Sequence, residues 1–143
     1  MKILVVYDSV YGNTKKLAET VAETLDKSAK VVSVDEYKSN DLKGVELLVV
    51  GSPILGWRPS EKTGKFLSSL QPGQLKGVKA AAFDSRIKLF IHGDAAVKIA
   101  LALSAAGAKI VGEPAGFFVK SAKGPLAKGE EARAAQWAKT LLA

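Results

Sequence analysis

The sequence predicts a doubly wound α/β fold built on a five-stranded parallel sheet with helices on both faces. Apolar runs that suit buried strands alternate with segments of helical periodicity along all 143 residues. The first run, Lys2–Tyr7, has almost no polar alternation, which is typical of a central strand covered on both sides. No linker or internal repeat divides the chain, so we expect one domain over residues 1–143.

Four further strands are predicted from short β-branched or apolar runs. The last of them contains Gly112-Glu113-Pro114, and proline cannot donate to a strand ladder, so we expect it to be interrupted there. The predicted strands are Lys30–Val34, Val45–Gly51, Val78–Phe83, and a fifth made of Lys109–Val111 and Gly116–Val119.

Four helices are predicted between and after these strands. Ser60 and Asp94 precede apolar periodic segments and are expected to be N-caps. Ser39–Lys43 is too short for a crossover helix and should form only a turn or two. The predicted helices are Asn13–Leu25, Ser60 to about Leu70, Asp94 to the stop at Gly107, and Gly129–Leu142.

The composition excludes several kinds of chemistry. The chain has no cysteine, which removes disulfides, thiolate metal sites and cysteine nucleophiles. Its one histidine, His92, cannot form a multi-histidine metal site, and no G-x-S-x-G elbow accompanies it. As a lone histidine before a helix, it is interpreted as a cap-region or surface residue. Redox chemistry would therefore need a bound organic cofactor, and we expect no metal.

The formal net charge of +7 raises the question of a nucleic-acid partner. The lysines are spread along the chain, however, without a dense cluster or interleaved stacking aromatics, so we expect no nucleic acid. No apolar run is long enough to span a membrane. The apolar stretch at the start is too short for a signal peptide, and we expect a cytoplasmic protein.

The loop after the first strand has the composition of an anion site. It reads Ser9-Val10-Tyr11-Gly12-Asn13-Thr14 and leads into a helix. Such a loop can turn backbone N–H groups and two hydroxyls toward one anion, or it can be an ordinary turn that ends in a helix cap. Lys15 and Lys16 in the first helical turn oppose the helix dipole, a cost that a bound anion would offset. Neither G-x-G-x-x-G nor G-x-x-x-x-G-K-[ST] occurs, and a terminal monophosphate ester fits what remains.

The segment S-V-Y-G-N-T resembles the flavodoxin phosphate loop, in which Thr, Ser or Tyr residues precede Gly-Asn-Thr. The resemblance extends over nearly the whole chain, because Gly51–Ser60 and Ala81–Arg86 follow the strands on which flavodoxins place their ring-binding loops. It implies a flavodoxin-like three-layer sandwich with strand order 2-1-3-4-5 and one bound FMN. Its phosphate would lie on Ser9, Val10, Tyr11, Gly12, Asn13 and Thr14.

Two later loops are expected to bind the isoalloxazine ring, which needs flat apolar faces and polar groups at one edge. Trp57 is the candidate stacking residue, and Gly56 would allow the peptide flip that the resemblance implies. The loop after the fourth strand departs from well-known flavodoxins because it has no tyrosine, and Phe90 is the substitute candidate. The expected ring-binding residues are Pro53, Ile54, Leu55, Gly56, Trp57, Asp84, Ser85, Arg86 and Phe90.

Basic residues are expected around this site, in contrast to the acidic surroundings of well-known flavodoxins. They are Lys15, Lys16, Arg58, Lys62, Arg86 and Lys88. Positive charge near the ring would favour the negatively charged reduced flavin, so Arg86→Glu should lower the corresponding reduction potential. The same rim should attract redox partner proteins with acidic docking surfaces.

These features predict an FMN-binding one-electron carrier that needs no catalytic side chain and is a monomer. An FMN-dependent quinone or NAD(P)H reductase is the alternative, and it would need an open ring face. A flavin-free interaction domain of the same fold is a further alternative, since a fold does not dictate a function.

Overall fold

Strands and helices alternate along the chain in the predicted order. A computed structural model describes residues 1–55, 58–87, 94–121 and 123–142. A 3-10 helix over Ser39–Leu42 takes the place of a crossover helix, as expected. The other elements are β1 (Ile3–Tyr7), α1 (Asn13–Leu25), β2 (Lys30–Ser33), β3 (Leu47–Leu55), β4 (Arg58–Pro59), α2 (Glu61–Ser68), β5 (Lys79–Ile87), α3 (Ala95–Ala105), β6 (Lys109–Ile110), β7 (Ala115–Val119) and α4 (Glu130–Thr140).

The sheet confirms the predicted order 2-1-3-4-5. Its path is β2-β1-β3-β5-β6, and β7 also pairs with β5, so β6 and β7 share the fifth position. These strands are parallel, and the interruption falls after Ile110, where it was predicted. Gly112 has φ +68 there, and the Trp137 indole N–H donates to the Glu113 carbonyl over 2.7 Å. Helix α4 thus covers the break.

Two strands are longer than predicted. The third was expected to end at Gly51 but continues to Leu55, and the fourth was expected to end at Phe83 but continues to Ile87. Pairing explains both extensions. The short β4 lies antiparallel to Ile54 and Leu55, and β7 pairs with the end of β5 from Phe83 onward. Segments expected to be loops at the carboxyl edge are therefore held as strand.

Helices cover both faces of the sheet and create two apolar cores. On one face, α1 and α4 pack over β1 side chains such as Ile3 and Val5. On the other, α2 and α3 pack over Leu4 and Val6 of the same strand. Every residue of β1 is buried, in agreement with its uniformly apolar sequence.

Gly51 permits a close contact between the central strands. It pairs with Phe83 in register, and a Cβ at Gly51 would lie 2.1 Å from Cζ of that ring. Phe83 fills this space and makes edge-to-face contacts with Phe117 and Trp137, with ring centroids 6.1 and 5.8 Å away. Trp137 therefore packs against the core, as its place on the apolar stripe of α4 indicates.

Both predicted N-caps are confirmed. The Ser60 side chain accepts a hydrogen bond from the Thr63 N–H, and the Asp94 side chain accepts one from the Val97 N–H. Among the described residues, no helix has the length and apolar character required to cross a bilayer.

Candidate functional site

The N-terminus of α1 lies at the carboxyl end of β1 and is not capped by a side chain. Gly12 is its N-cap residue, with φ 95, a left-handed conformation that glycine adopts without steric cost. The Gly12 N–H donates to Ser9 Oγ over 3.0 Å, which closes the loop before the helix. In α2 and α3 a side chain caps the helix N-terminus, but in α1 none does. The first-turn N–H groups of α1 are therefore available to an anion.

The charged residues at the start of α1 also favour a bound anion. The first turn of α1 contains no acidic residue, whereas that of α4, which also begins after a glycine, contains Glu130 and Glu131. Lys15 and Lys16 are exposed in the first turn of α1. The first turn of α1 therefore supplies no carboxylate of its own to interact favourably with the helix dipole.

A buried network of hydroxyl groups holds the second segment of the site. The Ser60 N–H donates to Ser52 Oγ over 3.0 Å, and the Ser60 and Thr63 hydroxyls lie 2.8 Å apart. Ser52 Oγ in turn donates to the Pro53 carbonyl over 2.9 Å. This network joins the end of β3 to the start of α2, and the pairing of Ile54 and Leu55 with β4 holds the rest of the segment.

These segments and the end of β5 enclose a cavity of about 200 Å³. Thr14 and Ser85 meet in it, with their hydroxyl oxygens sharing a hydrogen bond of 2.9 Å, although 71 positions separate them in sequence. The cavity thus joins a polar end at α1 to apolar walls from β3, β5 and β7. It is lined by Ser9, Val10, Tyr11, Asn13, Thr14, Pro53, Ile54, Leu55, Ser85, Arg86, Ile87 and Val119.

Most of the residues expected from the sequence lie around this one cavity. Gly12 shapes the loop through its backbone but is not a lining residue, and neither is Asp84, whose side chain is fully buried. Ile87 and Val119 were not in the expected set. Val119 could have been found, because the fifth predicted strand ends there, whereas Ile87 ends β5 only through the extension that pairs with β7. Gly56, Trp57, Lys88, Phe90 and His92 lie outside the described residues.

Asp84 and Arg86 form an ion pair beside the cavity. Arg86 Nε and Nη2 donate to the two Asp84 carboxylate oxygens over 2.7 and 2.6 Å. Asp84 also accepts the Ala96 N–H over 2.9 Å, at the start of α3, and Asp94 lies 3.4 Å from Arg86 Nη2. A Cβ on Gly116 would lie 2.2 Å from Arg86 Nε, so the missing side chain makes room for the guanidinium.

Burial shapes the protonation of this pair. It raises the pKa of the Asp84 carboxyl, and the hydrogen bonds from Arg86 and Ala96 offset only part of that effect. Burial alone would lower the pKa of Arg86, but the hydrogen bond and charge of Asp84 outweigh it and raise that pKa. The hydrogen bonds from Arg86 and Ala96 thus stabilise the charged form of a carboxyl whose ionisation burial disfavours.

Several of the basic residues expected around the site form ion pairs with carboxylates, so the site carries less free positive charge than the sequence indicated. Lys16 pairs with Glu131 at 3.2 Å and Lys62 with Asp35 at 3.0 Å. Arg86 was expected to supply positive charge near the ring, but only 11% of its side chain is exposed and two carboxylates neighbour it. Lys15 and Arg58 make no ion pair with any residue that the structure describes, and both are exposed.

A larger groove of about 960 Å³ lies on the other side of Leu55, against α2. Its lining includes the charged residues Arg58, Glu61 and Lys65, and it contains no residue of the Ser9–Thr14 loop. The smaller cavity is the better candidate site, because it lies at the carboxyl ends of β1, β3 and β5, where open α/β sheets bind their ligands.

Comparison with known proteins identifies the family. The model of the flavodoxin domain matches residues 4–86. A curated flavodoxin of Aquifex aeolicus (strain VF5) is 37% identical over 92 residues, which are 59% of this chain and 49% of the relative. The chain thus matches about half the length of that relative.

Solved structures share the fold. A flavodoxin from the domain Archaea superimposes with a TM-score of 0.78 at 24% identity, covering 96% of this chain and 94% of that one. Flavodoxin 1 of Bacillus cereus gives a TM-score of 0.80 at 18% identity, covering 99% and 97%. A short-chain flavodoxin associated with a bacterial microcompartment gives 0.81 at 19% identity, covering 99% and 97%. With the family model matching from β1 to the end of β5, the chain belongs to the flavodoxin-domain family.

Proposed function

We propose that the chain binds one FMN in the cavity and carries single electrons between partner proteins. Proteins of this family bind flavin, typically FMN. The observation that carries the proposal is the cavity itself, in which an uncapped helix N-terminus and the hydroxyls of Thr14 and Ser85 adjoin apolar strand ends. That combination suits a phosphate at one end and a flat ring at the other.

The expected contacts divide along the cavity. The loop Ser9–Thr14 would hold the phosphate with its N–H groups and hydroxyls. Pro53, Ile54, Leu55, Ser85 and Arg86 would border the ring, and we assign the same role to Ile87 and Val119 on the cavity wall. For Asp84 the structure supports an indirect role through Arg86. Contact of the ring with Gly56, Trp57 and Phe90 stays a prediction. Once bound, the flavin supplies the redox chemistry and the chain's residues bind and orient it.

The surface next to the cavity supports transfer to a partner protein. Val10 and Tyr11 are each 55% exposed and Leu55 is 48% exposed, so apolar groups adjoin the site. Lys15 and Arg58 supply positive charge without an ion pair in the described part of the chain, which favours partners with acidic docking surfaces. Cytoplasmic location and a monomeric state stay predictions from the sequence.

Anaerobic reduction of the FMN-loaded protein tests the proposal. Stepwise photoreduction should accumulate a one-electron-reduced flavin, read by its long-wavelength absorbance and its electron paramagnetic resonance signal. Direct two-electron bleaching by NADPH, without that species, would favour the reductase instead. A chain that binds no FMN would leave only the flavin-free interaction domain.

A further inference from the structure

A hairpin follows β7 and folds back along it. The Ala127 N–H donates to the Phe118 carbonyl over 2.8 Å, and the Lys120 N–H donates to the Pro125 carbonyl over 2.9 Å. Val119 and Leu126 form an antiparallel bridge between these bonds. We call residues 118–127 the return hairpin; residue 122 lies outside its described part.

The tip of the return hairpin is a short turn closed by two hydrogen bonds. The Gly124 N–H donates to the Ser121 carbonyl over 2.9 Å, and Ser121 Oγ donates to the Gly124 carbonyl over 2.8 Å. Gly124 has φ +98, which other residues adopt only with strain. The turn therefore has a defined shape that requires glycine.

This tip touches the phosphate loop. A Cβ on Gly124 would lie 2.5 Å from Oδ1 and 2.7 Å from Nδ2 of Asn13. Asn13 is the first residue of α1 and lines the cavity beside Thr14. Gly124 thus lies directly against the Asn13 amide, 111 positions earlier in the chain, and restricts the space in which that side chain can turn.

The base of the return hairpin is anchored, so its tip has a fixed place. Val119 lines the same cavity, and the Phe118 N–H donates to Glu130 Oε2 over 2.7 Å. Glu130 is buried and also accepts two hydrogen bonds from Arg133, of 2.9 and 2.8 Å. Arg133 in turn donates to the Gly116 carbonyl over 2.6 Å. Helix α4 and β7 therefore hold the hairpin from two sides.

We propose that the return hairpin positions Asn13 and so sets the phosphate loop for a terminal monophosphate. The inference rests on the proposed FMN function and assigns Gly124 and Ser121 as positioning residues. Holding a short loop in its binding conformation before the ligand arrives lowers the ordering cost of binding. We expect the larger effect on the phosphate, because Gly124 contacts Asn13 in the Ser9–Thr14 loop, whereas most of the proposed ring-binding residues lie on β3 and β5.

Titration of the apoprotein with FMN and with riboflavin, which lacks the phosphate, tests this. Gly124→Ala should weaken FMN binding about tenfold, the loss expected when one hydrogen bond to a charged group is misplaced, and should change riboflavin binding less than about twofold. Gly73→Ala is the matched control. Gly73 also has a positive φ, of +79, but a Cβ there meets no atom within 4 Å. Gly73→Ala should leave the affinities for FMN and for riboflavin unchanged.

Two further variants separate positioning from folding. Ser121→Ala removes the turn's side-chain bond without backbone strain and should weaken FMN binding in the same selective way. When Gly124→Ala is added to the Asn13→Ala variant, FMN binding should weaken little further, because both changes act through the contact between these two residues. Equal losses for FMN and riboflavin, or no loss for either, would overturn the inference while leaving FMN binding by the unmodified chain intact. Failure of the unmodified chain to bind FMN would overturn the proposed function as well.

Discussion

Arg86 donates two hydrogen bonds to Asp84, over 2.7 and 2.6 Å, so the cation beside the cavity is balanced by a buried carboxylate. Asp94 adds a second carboxylate 3.4 Å from the guanidinium. The three groups together are net negative when all are ionised. Arg86 therefore does not supply the free positive charge that the sequence indicated, and the charge beside the cavity depends on all three residues.

The first prediction concerns the reduction potential. Asp84→Asn keeps an acceptor for the Ala96 N–H but removes one negative charge. The charge change should stabilise the anionic reduced flavin by about 1 kcal/mol at about 8 Å and intermediate dielectric. By the constant of 59 mV per tenfold, this raises the potential of the last one-electron step by about 40 mV.

Spectroelectrochemical titration measures this shift. Asp41→Asn is the matched control, because Asp41 pairs with Lys30 on the β2–β3 connection, away from the cavity, and its loss should leave the potential unchanged. An unchanged or lowered potential for Asp84→Asn would contradict the electrostatic account.

The second prediction concerns the space above Gly116. Gly116→Ala places a methyl group 2.2 Å from Arg86 Nε and forces the ion pair to move, so the free energy of unfolding should fall by about 1–3 kcal/mol. Gly64→Ala is the comparison. A Cβ at Gly64, inside α2, meets no atom within 4 Å, and the higher helix propensity of alanine should raise stability by about 0.5–1 kcal/mol. Urea unfolding of the apoproteins measures both, and equal effects would refute the steric argument.

The third prediction concerns electron transfer to an anion. Lys15→Glu and Arg58→Glu should each slow oxidation of the reduced protein by ferricyanide severalfold at low ionic strength, and added salt should reduce the difference. Lys76→Glu, before the opposite end of β5, makes the same charge change and should have little effect. Stopped-flow absorbance gives the rates. If all three variants were oxidised equally slowly, the net charge of the protein, and not the local charge of Lys15 and Arg58, would govern the approach of ferricyanide.

The fourth prediction concerns acid stability. Asp41 accepts hydrogen bonds from Lys30 Nζ over 2.8 Å and from the Lys38 N–H over 2.9 Å, and these lower the pKa of its carboxyl below its ordinary value of 3.8. A lowered folded-state pKa means that the carboxylate contributes stability above the unfolded-state value, and that this contribution is lost as the pH falls through the folded-state value.

Asp41→Asn should therefore be less stable than the unmodified chain near pH 6, and the difference should shrink as the pH falls below about 4. Unfolding by urea across this range measures it. A difference that stayed constant with pH would show that the carboxylate's ionisation does not contribute.

Local signals explain why the helices could be predicted from the sequence. The bounds of α1 match the prediction, and Ser60 and Asp94 cap the helices expected of them, because caps and helical periodicity act within a few residues. The extensions of β3 and β5 could not be read in this way. They depend on pairing with β4 and β7, which lie elsewhere in the sequence.

The site shows the same division. Each of its three segments could be recognised alone, since strand ends and turn residues mark them. The Asp84–Arg86 pair could not be predicted, because these two residues share a strand face only through the extension of β5 that pairs with β7. The contacts of Asn13 with Gly124 and of Thr14 with Ser85 join distant parts of the chain, and only the folded structure brings them together.

An NMR titration of the ¹⁵N-labelled apoprotein with FMN tests most directly whether the cavity is the flavin site. The account predicts saturation at one FMN per chain, with the largest amide shifts in the Ser9–Thr14 loop and at Ser85–Ile87. Shifts centred instead on the groove lined by Glu61, Lys65 and Ser69, or no saturable shifts at all, would contradict it.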